Sequence, residues 1–152
     1  MVRNTYFQSI EALKDKQVIK VLTGIRRCGK SVLMEQFMQS LLERGVSERQ
    51  ITYIRLDDLD NELLLEYHNL YAFIKSALLE DRMNYVFIDE VQLCKDFQKP
   101  VETLFNCKNV DLYLTGSNAD LLSGELATLL SGRYVTIDML PFSFCEYLEC
   151  IK

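Results

Sequence analysis

Residues 24–31 read Gly-Ile-Arg-Arg-Cys-Gly-Lys-Ser and fill the pattern G-x-x-x-x-G-K-S/T completely. The pattern has chemical meaning only between a strand and a helix. An apolar run, Val18 to Leu22, precedes it, and an apolar helical pattern, Val32 to Leu42, follows. Gly24 and Gly29 admit the positive-φ backbone that lets successive N–H groups surround a phosphate oxygen. The helix opening near Lys30 adds its unpaired N–H groups and the positive end of its dipole. Lys30 is the residue type that reaches β- and γ-phosphates, and Ser31 offers a hydroxyl to Mg²⁺. The candidate nucleotide-contacting set is therefore Gly24, Ile25, Arg26, Arg27, Cys28, Gly29, Lys30, Ser31 and Val32.

A second stretch, Tyr-Val-Phe-Ile-Asp-Glu at 85–90, closes a continuous apolar run on two carboxylates. That is how a buried central strand of a parallel sheet presents acids at its carboxyl edge. Asp89 is placed to hold Mg²⁺ through water. Glu90 is the candidate general base that orients the attacking water.

The remaining elements follow from periodicity. Residues 4 to about 16 carry Phe7, Ile10 and Leu13 at helical spacing, a helix that packs on the core or closes over a base. A helix from Lys30 to about Arg44 stops at Gly45, and Ile51 to Leu56 is a strand ending in Asp57 and Asp58, an acidic pair of the kind that caps a turn or contacts Mg²⁺ or water. Residues 62 to 80 repeat apolar positions every three or four, as one helix or a broken pair, and hold the single histidine, His68, read as satisfied or solvated rather than as a ligand. A short helix over 97–106 is expected to be interrupted near Pro100. Val110 to Leu114 forms a fourth strand, ending in Thr115, Gly116, Ser117 and Asn118. Thr115, Ser117 and Asn118 are candidates to contact the γ-phosphate or the attacking water, and Ser117 or Asn118 would serve equally as a helix cap. Arg133 stands just before a short fifth strand, Tyr134 to Ile137, and is a candidate to reach a phosphate of its own or a neighbouring subunit.

With 152 residues the chain is one domain, large enough to bury roughly 70% of its unfolded surface. Its formal charge of −5 argues against a broad phosphate-tracking surface, so nucleic acid is not an expected partner. The five cysteines make no C-x-x-C pair and their odd number closes no disulfide framework, as in a reduced cytoplasmic chain. No apolar run is long enough to span a membrane, and the N-terminus lacks the apolar segment of a signal peptide.

Taken together, GIRRCGKS, YVFIDEVQ, YLTGSNADLL, SGRY and LPFSFCEYL resemble the N-terminal ATPase domain of prokaryotic AAA-type ATPases that carry a poorly characterised C-terminal domain. The resemblance runs from about Thr5 to Leu148. It implies an α/β fold, a three-layer α/β/α sandwich whose five parallel strands lie in the order 5-1-4-3-2. It also implies ATP and Mg²⁺ as ligands, with phosphates on Gly24 to Ser31, metal on Ser31 and Asp89, water activation by Glu90, sensing by the Thr115 to Asn118 turn, and an arginine role for Arg133. By the same resemblance, residues 1–152 are an ATPase core, the N-terminal fragment of a longer chain lacking its helical lid. Phe142, Phe144, Tyr147 and Leu148 are then expected to stand partly exposed. Partners beyond the nucleotide are self-association or a client protein.

Three other functions share the loop. A GTP switch is disfavoured because no N-K-x-D follows the fourth strand and Glu90-Val91-Gln92 replaces the D-x-x-G continuation. A small-molecule phosphotransferase needs no Glu90 beside Asp89. A nucleotide-gated interaction module that barely hydrolyses ATP is separated from a hydrolase only by assay.

Overall fold

The computed structural model of the chain describes residues 3–117, 121, 127–128, 130–144, 146 and 148. Helix α1 spans Asn4–Leu13, β1 Ile19–Thr23, α2 Lys30–Glu43, β2 Ile51–Arg55, α3 Tyr67–Ala77, β3 Asn84–Asp89, α4 Gln98–Phe105, β4 Val110–Gly116 and β5 Tyr134–Asp138. All strand pairings are parallel, in the order β2-β3-β4-β1-β5. This is the expected order 5-1-4-3-2 read from the other edge.

The three central strands are buried along their whole length, which is why their sequences are near-continuous apolar runs. Alternate residues serve opposite faces. On one side Leu22, Tyr85, Phe87 and Tyr113 pack with Ile10 of α1 and Leu33, Met34, Phe37 and Leu41 of α2. On the other side Val21, Val86, Ile88, Leu112 and Leu114 pack with Leu70 and Ile74 of α3 and Val101 and Leu104 of α4. Two helical layers thus enclose the sheet. Phe37 anchors the first layer, edge-on to Phe7 at 6.0 Å and to Phe87 at 6.3 Å between centroids.

One local expectation is corrected and one open alternative is decided. Pro100 does not interrupt α4: it is the third residue of the helix, where the backbone N–H would have no intrahelical partner, so its absence costs no bond. Of the two readings for 62–80, the structure has the broken pair: a 3₁₀ segment, Leu59–Leu65, followed by α3. Asn61 leaves helical geometry inside that segment, and Glu66, in extended geometry, caps α3 by accepting the Asn69 N–H at 3.0 Å.

The amino end of the sheet is closed by a buried polar network. Lys20 forms an ion pair with Asp111, which also accepts the Tyr113 hydroxyl at 2.8 Å and the Asp15 N–H at 2.9 Å. Burial pushes the Lys20 ammonium down and the Asp111 carboxyl up from their ordinary values.

Candidate functional site

The register decides which side chains meet. Leu22 lies beside Thr115, Ile88 beside Leu114 and Arg55 beside Asp89, so β1, β3 and β4 leave the sheet at one edge. The loop 24–31 leaves that edge after β1 and enters α2. Gly24 has φ 147° and Gly29 φ 93°, both in the region open to glycine. A Cβ on Gly24 would lie 2.4 Å from the Met139 carbonyl oxygen and 2.8 Å from Cys28 Sγ, so the loop backbone is pressed against the chain after β5. Gly29 caps α2 without a side-chain hydrogen bond, and no acidic residue stands in the helix's first turn. The start of α2 thus carries no capping side chain and no negative charge to compete with an anion.

Lys30 is buried and folds back on its own loop. Its ammonium donates to the carbonyls of Gly24 and Ile25, both at 2.9 Å, and lies 3.8 Å from Cys28 Sγ. A cleft of about 280 Å³ is lined by Arg27, Gly29, Lys30, Ser31, Val32, Glu90 and Phe142. A second, lined by Arg26, Arg27, Asp57, Glu90 and Leu93, meets it at Arg27 and Glu90. The loop and the second acid thus share one opening.

Asp89 is 1% exposed. Its carboxylate accepts the Thr115 and Tyr53 hydroxyls, the latter at 3.3 Å, and no cation pairs with it among the described residues. Burial and the Asp89 charge push the Tyr53 hydroxyl well above its ordinary value, so it stays a donor. A buried carboxylate held by two neutral hydroxyls is costly unless a cation joins it. With the Ser31 hydroxyl in the neighbouring cleft, the donor set fits Mg²⁺, which is usually held by one or two protein oxygens plus phosphates rather than by a protein cage. Among the described residues no group of three His, Cys, Asp or Glu side chains forms such a cage.

Glu90 leaves the strand at φ 56°, a left-handed conformation rare for a side chain of this size. Its N–H donates to Thr115 Oγ1 at 2.9 Å, and its carboxylate accepts the Gln92 side-chain amide. Thr115 is fully buried and supports both acids, through the Glu90 N–H and the Asp89 carboxylate. Ser117 is half-buried at the turn, and Asn118 lies outside the described residues.

Arg133 does not join this group. It sits before β5 at the amino edge of the sheet, where its carbonyl accepts the Ile19 N–H and its guanidinium pairs with Glu102 at 2.8 Å. The length of β5, at about 3.3 Å per residue, separates it from the loop edge by roughly 16 Å, beyond reach of its own phosphate site.

Arg3 was not singled out by the sequence, because it precedes the first periodic residue. It is 8% exposed and donates to the carbonyls of Cys28 at 3.0 Å and Leu140 at 2.7 Å and to Glu146 at 2.9 Å. Its guanidinium also stacks on Tyr6 and Phe142. The N-terminus, the loop and the chain after β5 are joined through this one side chain. Asp57 pairs with Arg55 at 3.3 Å, Asp58 caps the 3₁₀ segment, and His68 is exposed against Glu66.

A parallel sheet enclosed by helices, with a glycine-bounded lysine loop and paired acids at its carboxyl edge, defines a P-loop nucleotide-binding domain. Residues 16–148 match the family model described as AAA domain, and the chain belongs to that family. It is 40% identical over 148 residues to an uncharacterized protein of Haemophilus influenzae, covering 97% of this chain and 37% of that one. An uncharacterized protein of Methanocaldococcus jannaschii is 33% identical over 136 residues, covering 86% of this chain and 28% of that one. The chain thus spans about a third of the length of these curated relatives. Among solved structures it is similar to a chain of Drosophila ORC bound to AT-rich DNA and Cdc6, with a TM-score of 0.59 and 15% identity over 93% of this chain and 56% of that one. It is also similar to C. elegans PCH-2, with a TM-score of 0.56 and 21% identity over 91% of this chain and 41% of that one. At these identities the two structures support the fold. No described helix is long and apolar enough to cross a membrane.

Proposed function

We propose that the chain binds ATP with Mg²⁺ at the carboxyl edge of its sheet and hydrolyses it slowly. The observation that carries this is the single cleft shared by Gly29, Lys30, Ser31 and Glu90. Lys30 exchanges the two loop carbonyls for the β- and γ-phosphates, a charge-assisted contact roughly twice as strong as a neutral one. The loop N–H groups and the α2 terminus cradle the phosphate oxygens. Ser31 and Asp89 would hold Mg²⁺, which would supply neutralisation of the phosphate charge. Glu90 orients water for in-line attack on the γ-phosphorus and takes its proton as the bond to the β-phosphate oxygen breaks, leaving ADP and phosphate. Sensing of the γ-phosphate is assigned to the residues that follow β4, Thr115, Ser117 and Asn118.

Arg133 acts on a neighbouring subunit's phosphate, since its own loop is out of reach. A trans arginine is worth about 10³ to 10⁵ in rate in comparable systems, so the isolated chain turns over poorly. The same placement favours a second reading, a nucleotide-gated interaction module with little hydrolysis. Single-turnover hydrolysis and equilibrium binding of wild type and Glu90→Gln separate the two. The hydrolase loses about 10² to 10⁴ in rate at unchanged affinity. Equal and negligible rates in both proteins select the gated module.

A further inference from the structure

We propose that Gln92 is a positioning residue for hydrolysis, holding the Glu90 carboxylate toward the shared cleft. The inference rests on Glu90 being the base. Glu90 enters the 3₁₀ turn Val91–Leu93 through its left-handed backbone, and this returns Gln92 alongside it. There Gln92 Nε2 donates to Glu90 Oε2. One carboxylate oxygen is held and the other remains for water.

The far end of the same amide shows what the contact costs. Gln92 Oε1 is enclosed and has no hydrogen-bond partner, the one such buried side-chain atom among the described residues. A flipped amide would set its oxygen against the carboxylate, acceptor against acceptor, so Glu90 dictates the orientation that leaves Oε1 orphaned. The amide also needs room: a Cβ on Gly116 would lie 2.5 Å from Oε1. An apolar side chain of the same length would fill this space with no orphan. Local packing therefore does not call for a glutamine, whereas a fixed Glu90 does.

Gly116 places the clamp within reach of the phosphate-sensing turn. Thr115 binds Asp89 and the Glu90 N–H, and Gly116 abuts the amide that binds the Glu90 carboxylate. Glu90 is thus held at its backbone and at its side chain by two successive residues of β4 and their contacts.

The test is single-turnover ATP hydrolysis, ATP affinity and melting temperature for wild type, Gln92→Met, Gln92→Glu, Glu90→Gln and the double variant Glu90→Gln with Gln92→Met. Gln92→Met removes the donor and the orphan together, and Gln92→Glu keeps the shape without a donor. Both should lower the hydrolysis rate about tenfold or more with ATP affinity unchanged. Gln92→Met should melt no lower than wild type, and adding it to Glu90→Gln should cause no further loss. Wild-type hydrolysis in Gln92→Met beside a defective Glu90→Gln overturns the clamp alone. An equal further loss on the Glu90→Gln background, or a lowered melting temperature with an unchanged rate, does the same. A Glu90→Gln protein as active as wild type, or an inactive wild type, overturns the base and the clamp together.

Discussion

The Thr115 hydroxyl accepts the Glu90 N–H and donates to Asp89, so one buried oxygen fixes both acids at the mouth of the sheet. Valine has the same shape without the hydroxyl. Thr115→Val should cost about 1–3 kcal/mol in denaturant unfolding, because it leaves a buried donor and one carboxylate oxygen unmatched. The same variant should hydrolyse more slowly than its ATP affinity accounts for, because Glu90 loses its backbone anchor. Unchanged stability would mean that the two acids are fixed by the strand backbone alone. Both acids were legible in the sequence, since an apolar run ending in Asp-Glu has few other meanings beside a phosphate loop. Tyr53, Gln92 and Arg3 were not. Each acts through a contact between segments far apart or through a turn, and no periodicity records such contacts.

Among the elements, the corner between α1 and β1 carries the clearest pH dependence. Asp15 accepts the Tyr85 hydroxyl at 2.7 Å and pairs with Lys14 at 2.6 Å. Desolvation raises its carboxyl, but the hydrogen bonds from Lys14 and Tyr85 outweigh this and hold it below its ordinary 3.8. A depressed carboxyl stabilises the fold above its unfolded value and loses that contribution as pH falls through the folded one. Wild type should therefore melt above Asp15→Asn near neutrality, with the gap closing as pH falls through and below the ordinary carboxylate range. No gap at neutrality would show that Asp15 acts only through its backbone N–H to Asp111, which asparagine keeps. The strands and α2 were readable because burial on two faces or one leaves a direct pattern of apolar residues. The break before α3 was only one of two readings the spacing allowed. Glu66 is an uncommon helix cap, and the leucines from Leu59 to Leu65 keep helical spacing across the kink at Asn61.

For the whole molecule, the loop edge and Arg133 lie at opposite ends of the strands. On the proposed reading, Arg133 would serve the phosphate site of a neighbouring subunit rather than its own. Mixing Arg133→Ala with Lys30→Ala should restore part of the hydrolysis that each lacks alone, since one supplies the loop and the other the arginine. No recovery, with Arg133→Ala as active as wild type, would reduce Arg133 to a surface ion pair with Glu102. Phe142 is 44% exposed at the cleft and Phe144 74% exposed beyond it, as the sequence led one to expect for this segment. Tyr147 lies outside the described residues.

Everything proposed for this chain depends on the 24–31 loop holding a nucleotide. The most direct test is titration calorimetry with ATP, ADP and GTP in Mg²⁺, on wild type and Lys30→Ala. Saturable binding that prefers ATP and is lost in a folded Lys30→Ala is the predicted result. A folded wild type that takes up no nucleotide, or a Lys30→Ala that binds as tightly as wild type, would contradict it.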